Sequence, residues 1–168
     1  MRLLLSLVIL SLAAAAQTPG LPPDYAAKLA GLEQARRQSP RDPRVLEALA
    51  GSYAMGGRHH QAAVVLRELL PLEPSEETRL RLARNLAWAG DSGAAIETYE
   101  QYLQARPEDR AATLELIRLK RWRGDYSAAE RLCNRLLARH PDDAAVLALK
   151  AEVLHWAGPR KRTARHAA

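Results

Sequence analysis

The sequence predicts an all-α fold, a right-handed α-solenoid of helix-turn-helix repeats with a 34-residue period. Three observations predict it. Trp88, Trp122 and Trp156 lie 34 residues apart, and they are all three tryptophans of the 168-residue chain. Each is followed two places later by a glycine, Gly90, Gly124 and Gly158. Pro74, Pro107 and Pro141 recur at intervals of 33 and 34. A fixed period of this length marks a stacked array in which each unit buries its apolar face against its neighbours, so function is expected on surfaces that several repeats build together.

The elements follow in chain order. Met1-Arg2, the apolar run from Leu3 to Leu12 broken only by Ser6 and Ser11, and the small-residue end Ala14-Ala15-Ala16 stand in the order of a secretory signal peptide, residues 1–16, cut after Ala16. The run is shorter than the ~20 apolar residues a bilayer span needs, so no stable membrane span is expected after cleavage. The expected location is secreted or periplasmic, with outer-membrane association as a further expectation. Residues 17–24, with prolines at 19, 22 and 23, read as a linker. In residues 25–40, Leu29, Leu32 and Ala35 come at three-residue steps before Pro40 and predict a lone helix over Tyr25 to Arg37 that caps the first repeat.

Residues 41–158 form the array, about three and a half repeats. In each unit a helical stretch precedes the glycine: Leu82, Ala83 and Leu86 before Gly90 match Leu49, Ala50 and Tyr53 before Gly57. After the glycine, Ala62, Ala95 and Ala129 hold one offset, where a small side chain lets the two helices of a hairpin approach closely. Leu66/Leu69/Leu70, Tyr99/Tyr102/Leu103 and Cys133/Leu136/Leu137 continue the apolar stripe. The prolines end the second helices, and Ser75-Glu76, Glu108-Asp109 and Asp142-Asp143 suit the start of the next. The fourth unit stops at Gly158 without a second helix. Residues 159–168, basic and without apolar periodicity, are expected to be a disordered tail.

The formal charge of +6 does not imply nucleic acid. Arg2 falls in the signal peptide and Arg160, Lys161, Arg162 and Arg165 in the tail, which leaves 20 basic against 19 acidic residues and no broad basic face. Cys133 is the single cysteine, so no intramolecular disulfide is possible, and a buried thiol is expected. His59-His60 is expected in a solvated turn; the other histidines lack metal-ligand spacing. No phosphate loop, nucleophile elbow or zinc-protease motif is present, so no catalytic residue, cofactor or metal is expected and the chain does not read as an enzyme.

The length, the small-residue anchor, the turn glycine and the terminal proline resemble the tetratricopeptide repeat family, over Pro43 to Gly158. Within that family, Leu86-Ala87-Trp88-Ala89-Gly90 and Leu154-His155-Trp156-Ala157-Gly158 look like the repeats of exported bacterial proteins, some of which carry an outer-membrane barrel and serve polysaccharide export. The aromatic residue usual near the start of the family's first helix is replaced by Leu46, Arg79, Thr113 and Leu147. The carboxylate-clamp set of chaperone-binding members is absent: the corresponding places hold Glu47, Gly51, Arg81, Ala111 and Glu115.

At about 100° per residue, Trp88 stands about 200° from Leu86 and about 140° from Ala83, away from the core of its own repeat. The same offset holds for Trp122 and Trp156. Arg84, Arg118 and Glu152 lie four residues before them, and Arg121 and His155 are adjacent. The resemblance implies that these eight positions face the groove in which the family binds peptides. Two readings stand: tryptophans wedged between repeats, or a ligand-facing ladder in which Arg84 over Trp88 and Arg118 over Trp122 form cation–π pairs. The expected function is an exported scaffold for protein or peptide partners, acidic ones favoured by the arginines, in the bacterial cell envelope. The alternatives are a carbohydrate-binding adaptor associated with polysaccharide export, its glycan lying on the tryptophans, or a truncated relative of an outer-membrane export protein.

Overall fold

The computed structural model describes residues 21–165. The signal-peptide expectation, residues 17–20 of the linker and residues 166–168 of the tail lie outside the described residues. Eight helices follow one another: α1 (Tyr25–Gln38), α2 (Pro43–Met55), α3 (His59–Leu69), α4 (Glu76–Trp88), α5 (Ser92–Ala105), α6 (Arg110–Trp122), α7 (Tyr126–Leu137) and α8 (Ala144–Arg165). Each packs on the next in order, so α2/α3, α4/α5 and α6/α7 are the predicted hairpins, with α1 before them and α8 after. No described residue lies in a strand.

The period is written in the backbone chemistry of the turns. Gly57, Gly90 and Gly124 have φ of 68°, 83° and 82°, the left-handed region that a Cβ disfavours. The residue after each glycine donates its N–H five residues back, Arg58 to the Tyr53 carbonyl, Asp91 to Leu86 and Asp125 to Lys120, at 2.8–2.9 Å. Each glycine N–H reaches the carbonyl three residues back. This pair of bonds closes a helix end and reverses the chain. Asp91 and Asp125 then cap the next helix, accepting from the N–H of Ala94 and Ala128. Ser75, Asp109 and Asp143 cap α4, α6 and α8 in the same way.

The core runs continuously through the hairpins. Ala62, Ala95 and Ala129 are fully buried, as small-residue contacts require, and Tyr99 and Cys133 lie in the stripe at 1% and 0% exposure. Leu70, Leu103 and Leu137 are only half-buried, at the edge of the stripe. Burial pushes the Cys133 thiol up from its ordinary pKa and so disfavours the reactive thiolate. Helix α1 docks on the first hairpin through Leu29, a hydrogen bond from the Tyr25 hydroxyl to the Ser52 carbonyl at 3.0 Å, and one from Tyr53 to Glu33 at 3.0 Å. A Cβ on Gly56 would stand 1.9 Å from the Tyr25 hydroxyl oxygen, so this glycine admits the ring.

One boundary differs from expectation. Helix α8 does not end at Gly158: it runs through Pro159 to Arg165, so helix replaces the disordered tail expected from residue 159 as far as the described residues go. The physical reason lies in Pro159, which occupies the place of Arg58, Asp91 and Asp125. Proline has no N–H and cannot make the bond that closes the other three helix ends, while its fixed φ near −65° is compatible with helix.

Candidate functional site

The first helices of the repeats, α2, α4, α6 and α8, end in residues that stand two places before a turn glycine or its counterpart: Met55, Trp88, Trp122 and Trp156. All four are exposed, at 58%, 76%, 76% and 55%. Because the intrarepeat core occupies the opposite side of each helix, this position projects outward in every unit. The tryptophans are therefore not interred between repeats; they form an exposed apolar row. Met55 belongs to it, although the search for tryptophans passed over it; its spacing to Gly57 is the signal that finds it.

Two clefts open between successive first helices. One, of ≈ 390 Å³, is lined by Arg84, Ala87 and Trp88 of α4, by Ala111, Glu115 and Leu119 of α6, and by Tyr99 of α5. The other, of ≈ 240 Å³, lies between α6 and α8 and is lined by Arg121, Trp122, Tyr126 and Trp156. Arg84 hydrogen-bonds the Tyr99 hydroxyl, whose pKa is pushed up to about 12, first by burial and then by the charge of Glu115. Tyr99 and Tyr126 sit in second helices. Sequence reasoning placed Tyr99 in the core, where it also lies, and did not single out Tyr126.

The arginines are mostly engaged. Arg81 pairs with Glu47 across α4 and α2, Arg118 with Glu115 one turn back, and Arg121 with Glu152 across α6 and α8 at 2.9 Å. Exposed pairs of this kind are worth only ~0–1 kcal/mol each, but they neutralise much of the positive charge expected to attract an acidic partner. The guanidinium of Arg118 thus goes to Glu115, where a cation–π pair with Trp122 was expected.

Trp88 has an aromatic neighbour the sequence did not suggest. His59, expected in a solvated turn, instead opens α3 and is half-buried. Its ring stacks on Trp88 with centroids 5.7 Å apart and an interplanar angle of 27°. Asn85, 7% exposed, donates its amide to the Arg81 carbonyl at 2.8 Å and presents its oxygen to Nδ1 of His59 at 3.0 Å, so Nδ1 carries the proton. At the place of His59 the next repeats hold Ser92 and Tyr126; Tyr126 lines the cleft with Trp156. His155 meets Trp156 edge-on at 5.5 Å. All eight predicted positions lie on α4, α6 and α8; of these, Arg118, Glu152 and His155 line neither cleft. Among the described residues no cluster of His, Cys, Asp and Glu is arranged to hold a metal ion, and no helix is long and apolar enough to cross a membrane.

Stacked hairpins with an exposed row along their first helices define a solenoid scaffold. Residues 86–153 match the tetratricopeptide repeat model. The chain is a tetratricopeptide repeat protein, as its spacing implied. Its fold is similar to the crystal structure of MamA protein, with a TM-score of 0.69 and 15% identity over 84% of this chain and 78% of that one. It is also similar to nearly identical TPR-like repeats of a Podosopora anserina kinesin light chain protein, at a TM-score of 0.64 and 18% identity over 84% and 82%. A tetratricopeptide repeat protein from Parabacteroides merdae ATCC 43184 has a TM-score of 0.59 and 21% identity, over 83% of this chain and 55% of that one. No curated protein matches the chain significantly.

Proposed function

We propose that this protein is a non-enzymatic scaffold of the bacterial cell envelope, exported by the segment 1–16, that holds an extended segment of a protein partner along its first helices. The observation that carries this reading is the row of tryptophans at one repeat position, two of them 76% exposed. Large exposed aromatic side chains on a regular spacing are costly in solvent and suit partner contact, and Trp and Arg are the residue types that most often dominate interfaces. The charge balance narrows the partner. With Arg81, Arg118 and Arg121 paired internally, the partner segment supplies chiefly apolar or aromatic residues for the two clefts, and an acidic residue finds its best place at Arg84.

The test is retention of envelope proteins on the immobilised chain, compared with Trp88→Ala and Trp122→Ala. A partner bound in this way is retained by the parent chain, and each substitution weakens its binding by roughly 2 kcal/mol with helicity unchanged. Binding of a polysaccharide, lost on the same substitutions, would replace the protein partner with a glycan. Intact mass of the chain purified from the envelope tests export: a chain that keeps residues 1–16 removes the envelope from the proposal.

A further inference from the structure

The two ends of the array are incomplete in complementary ways. Pro40 precedes Pro74 by 34 residues, the interval of the later prolines, so α1 stands at the position of a second helix. The array therefore begins with a second helix and, in α8, ends with a first helix. By the repeat register, Lys28, Gly31, Leu32 and Ala35 of α1 correspond to Ala62, Val65, Leu66 and Leu69 of α3, which are 0–1% exposed. In α1, Lys28 and Gly31 are exposed and Leu32 and Ala35 half-buried.

At the other end, Leu147, Ala151 and Leu154 correspond to Leu46, Ala50 and Tyr53, exposed at 0%, 0% and 9% under the second helix of their repeat. In α8 the two leucines are 47% and 43% exposed and Ala151 is exposed too. The residues after Gly158 that would turn back to cover them continue α8 instead. Ala144, Leu147, Ala148, Ala151 and Leu154 form an exposed strip without a charge, whereas a solvated helix face ordinarily carries charges.

We propose that a second copy of this chain supplies the missing helix: its α1 docks on the open face of α8, joining copies head to tail. The repeat itself is the template, because a second helix is what covers these positions in the three complete hairpins. Charge agrees with the register. Lys28, at the place of Ala62, comes to the α8 segment that holds Ala151 and Glu152, whose side chain is 54% exposed. Such a contact is heterologous, so it leaves a free end of each kind and extends by further copies.

Sedimentation of the purified chain with one blocked end at a time tests this. Gly31→Glu blocks α1 without disturbing its fold, since a Cβ there meets nothing within 4 Å. Leu154→Glu blocks α8. The parent chain is expected to gain mass with concentration beyond a dimer, and each variant alone to sediment as a monomer, its self-association weakened by at least about tenfold. An equimolar mixture of the two variants retains one intact head and one intact tail and is expected to form a 1:1 dimer and nothing larger. A parent chain that stays monomeric overturns the proposal. So does a mixture that gains no mass, or a Gly31→Glu chain that still dimerises, which would show two-fold pairing of α8 instead. Circular dichroism checks each variant; if either loses helix, Ala27→Glu and Ala151→Glu, both at exposed positions, replace them in the same design.

Discussion

Leu86-Ala87-Trp88-Ala89-Gly90 and Leu154-His155-Trp156-Ala157-Gly158 share a pattern and meet different fates. The first closes α4 and turns the chain, and Leu86 ends 2% exposed beneath α5. The second lies inside α8, and Leu154 stays 43% exposed with no hairpin partner among the described residues. One following residue separates them: Asp91 offers an N–H to the Leu86 carbonyl and a carboxylate to cap α5, and Pro159 offers neither. A repeat motif thus sets where a helix can stop, while the residue after it decides whether the chain turns and whether the preceding leucine is buried.

The largest effect should come from removing the buried leucine. Leu86→Ala is expected to cost about 3 kcal/mol, within the ~2–5 kcal/mol range of buried leucine truncations, whereas Leu154→Ala should cost about 1 kcal/mol or less. Urea unfolding of dilute protein compares them, and equal losses would mean that α8 is covered in solution.

Next in size is the turn itself. Pro159→Asp restores both the N–H and the capping carboxylate, so α8 should end near Gly158. The carbon chemical shifts of Lys161 should leave the helical range; if they stay helical, proline is not what lets α8 run on.

The smallest effect concerns what the two regions share, a capped helix start. Arg110 reaches Asp143 across the repeat boundary at 2.7 Å and 2.8 Å, and this pairing, with the Val146 N–H, holds the carboxyl down to about 2. Because the folded-state pKa is depressed, the stabilisation is complete above the ordinary carboxylate value of ~3.9 and is lost as pH falls toward about 2. Arg110→Ala should return the NMR titration of Asp143 toward that ordinary value. No change would mean that the backbone cap alone sets it.

Much of the fold was legible because its signals are local. Gly57, Gly90 and Gly124 end helices by a conformation available to them alone, Asp and Ser cap by hydrogen bonds to residues two or three places on, and Ala62, Ala95 and Ala129 repeat at the close crossings. These depend on neighbours in sequence, so a period of 34 carries them. The outward direction of the tryptophans was likewise legible from the angle between Trp88 and Leu86. Tertiary structure alone decided that Trp88 and Trp122 remain 76% exposed, that His59 stacks beneath Trp88, and that Arg118 and Arg121 turn to carboxylates. Exposure and ion pairing depend on which helix arrives from elsewhere in the chain. For the same reason Leu86 and Leu154, alike in sequence, differ in burial: a side chain's pattern marks the face it needs covered, and only the packed array determines whether anything covers it.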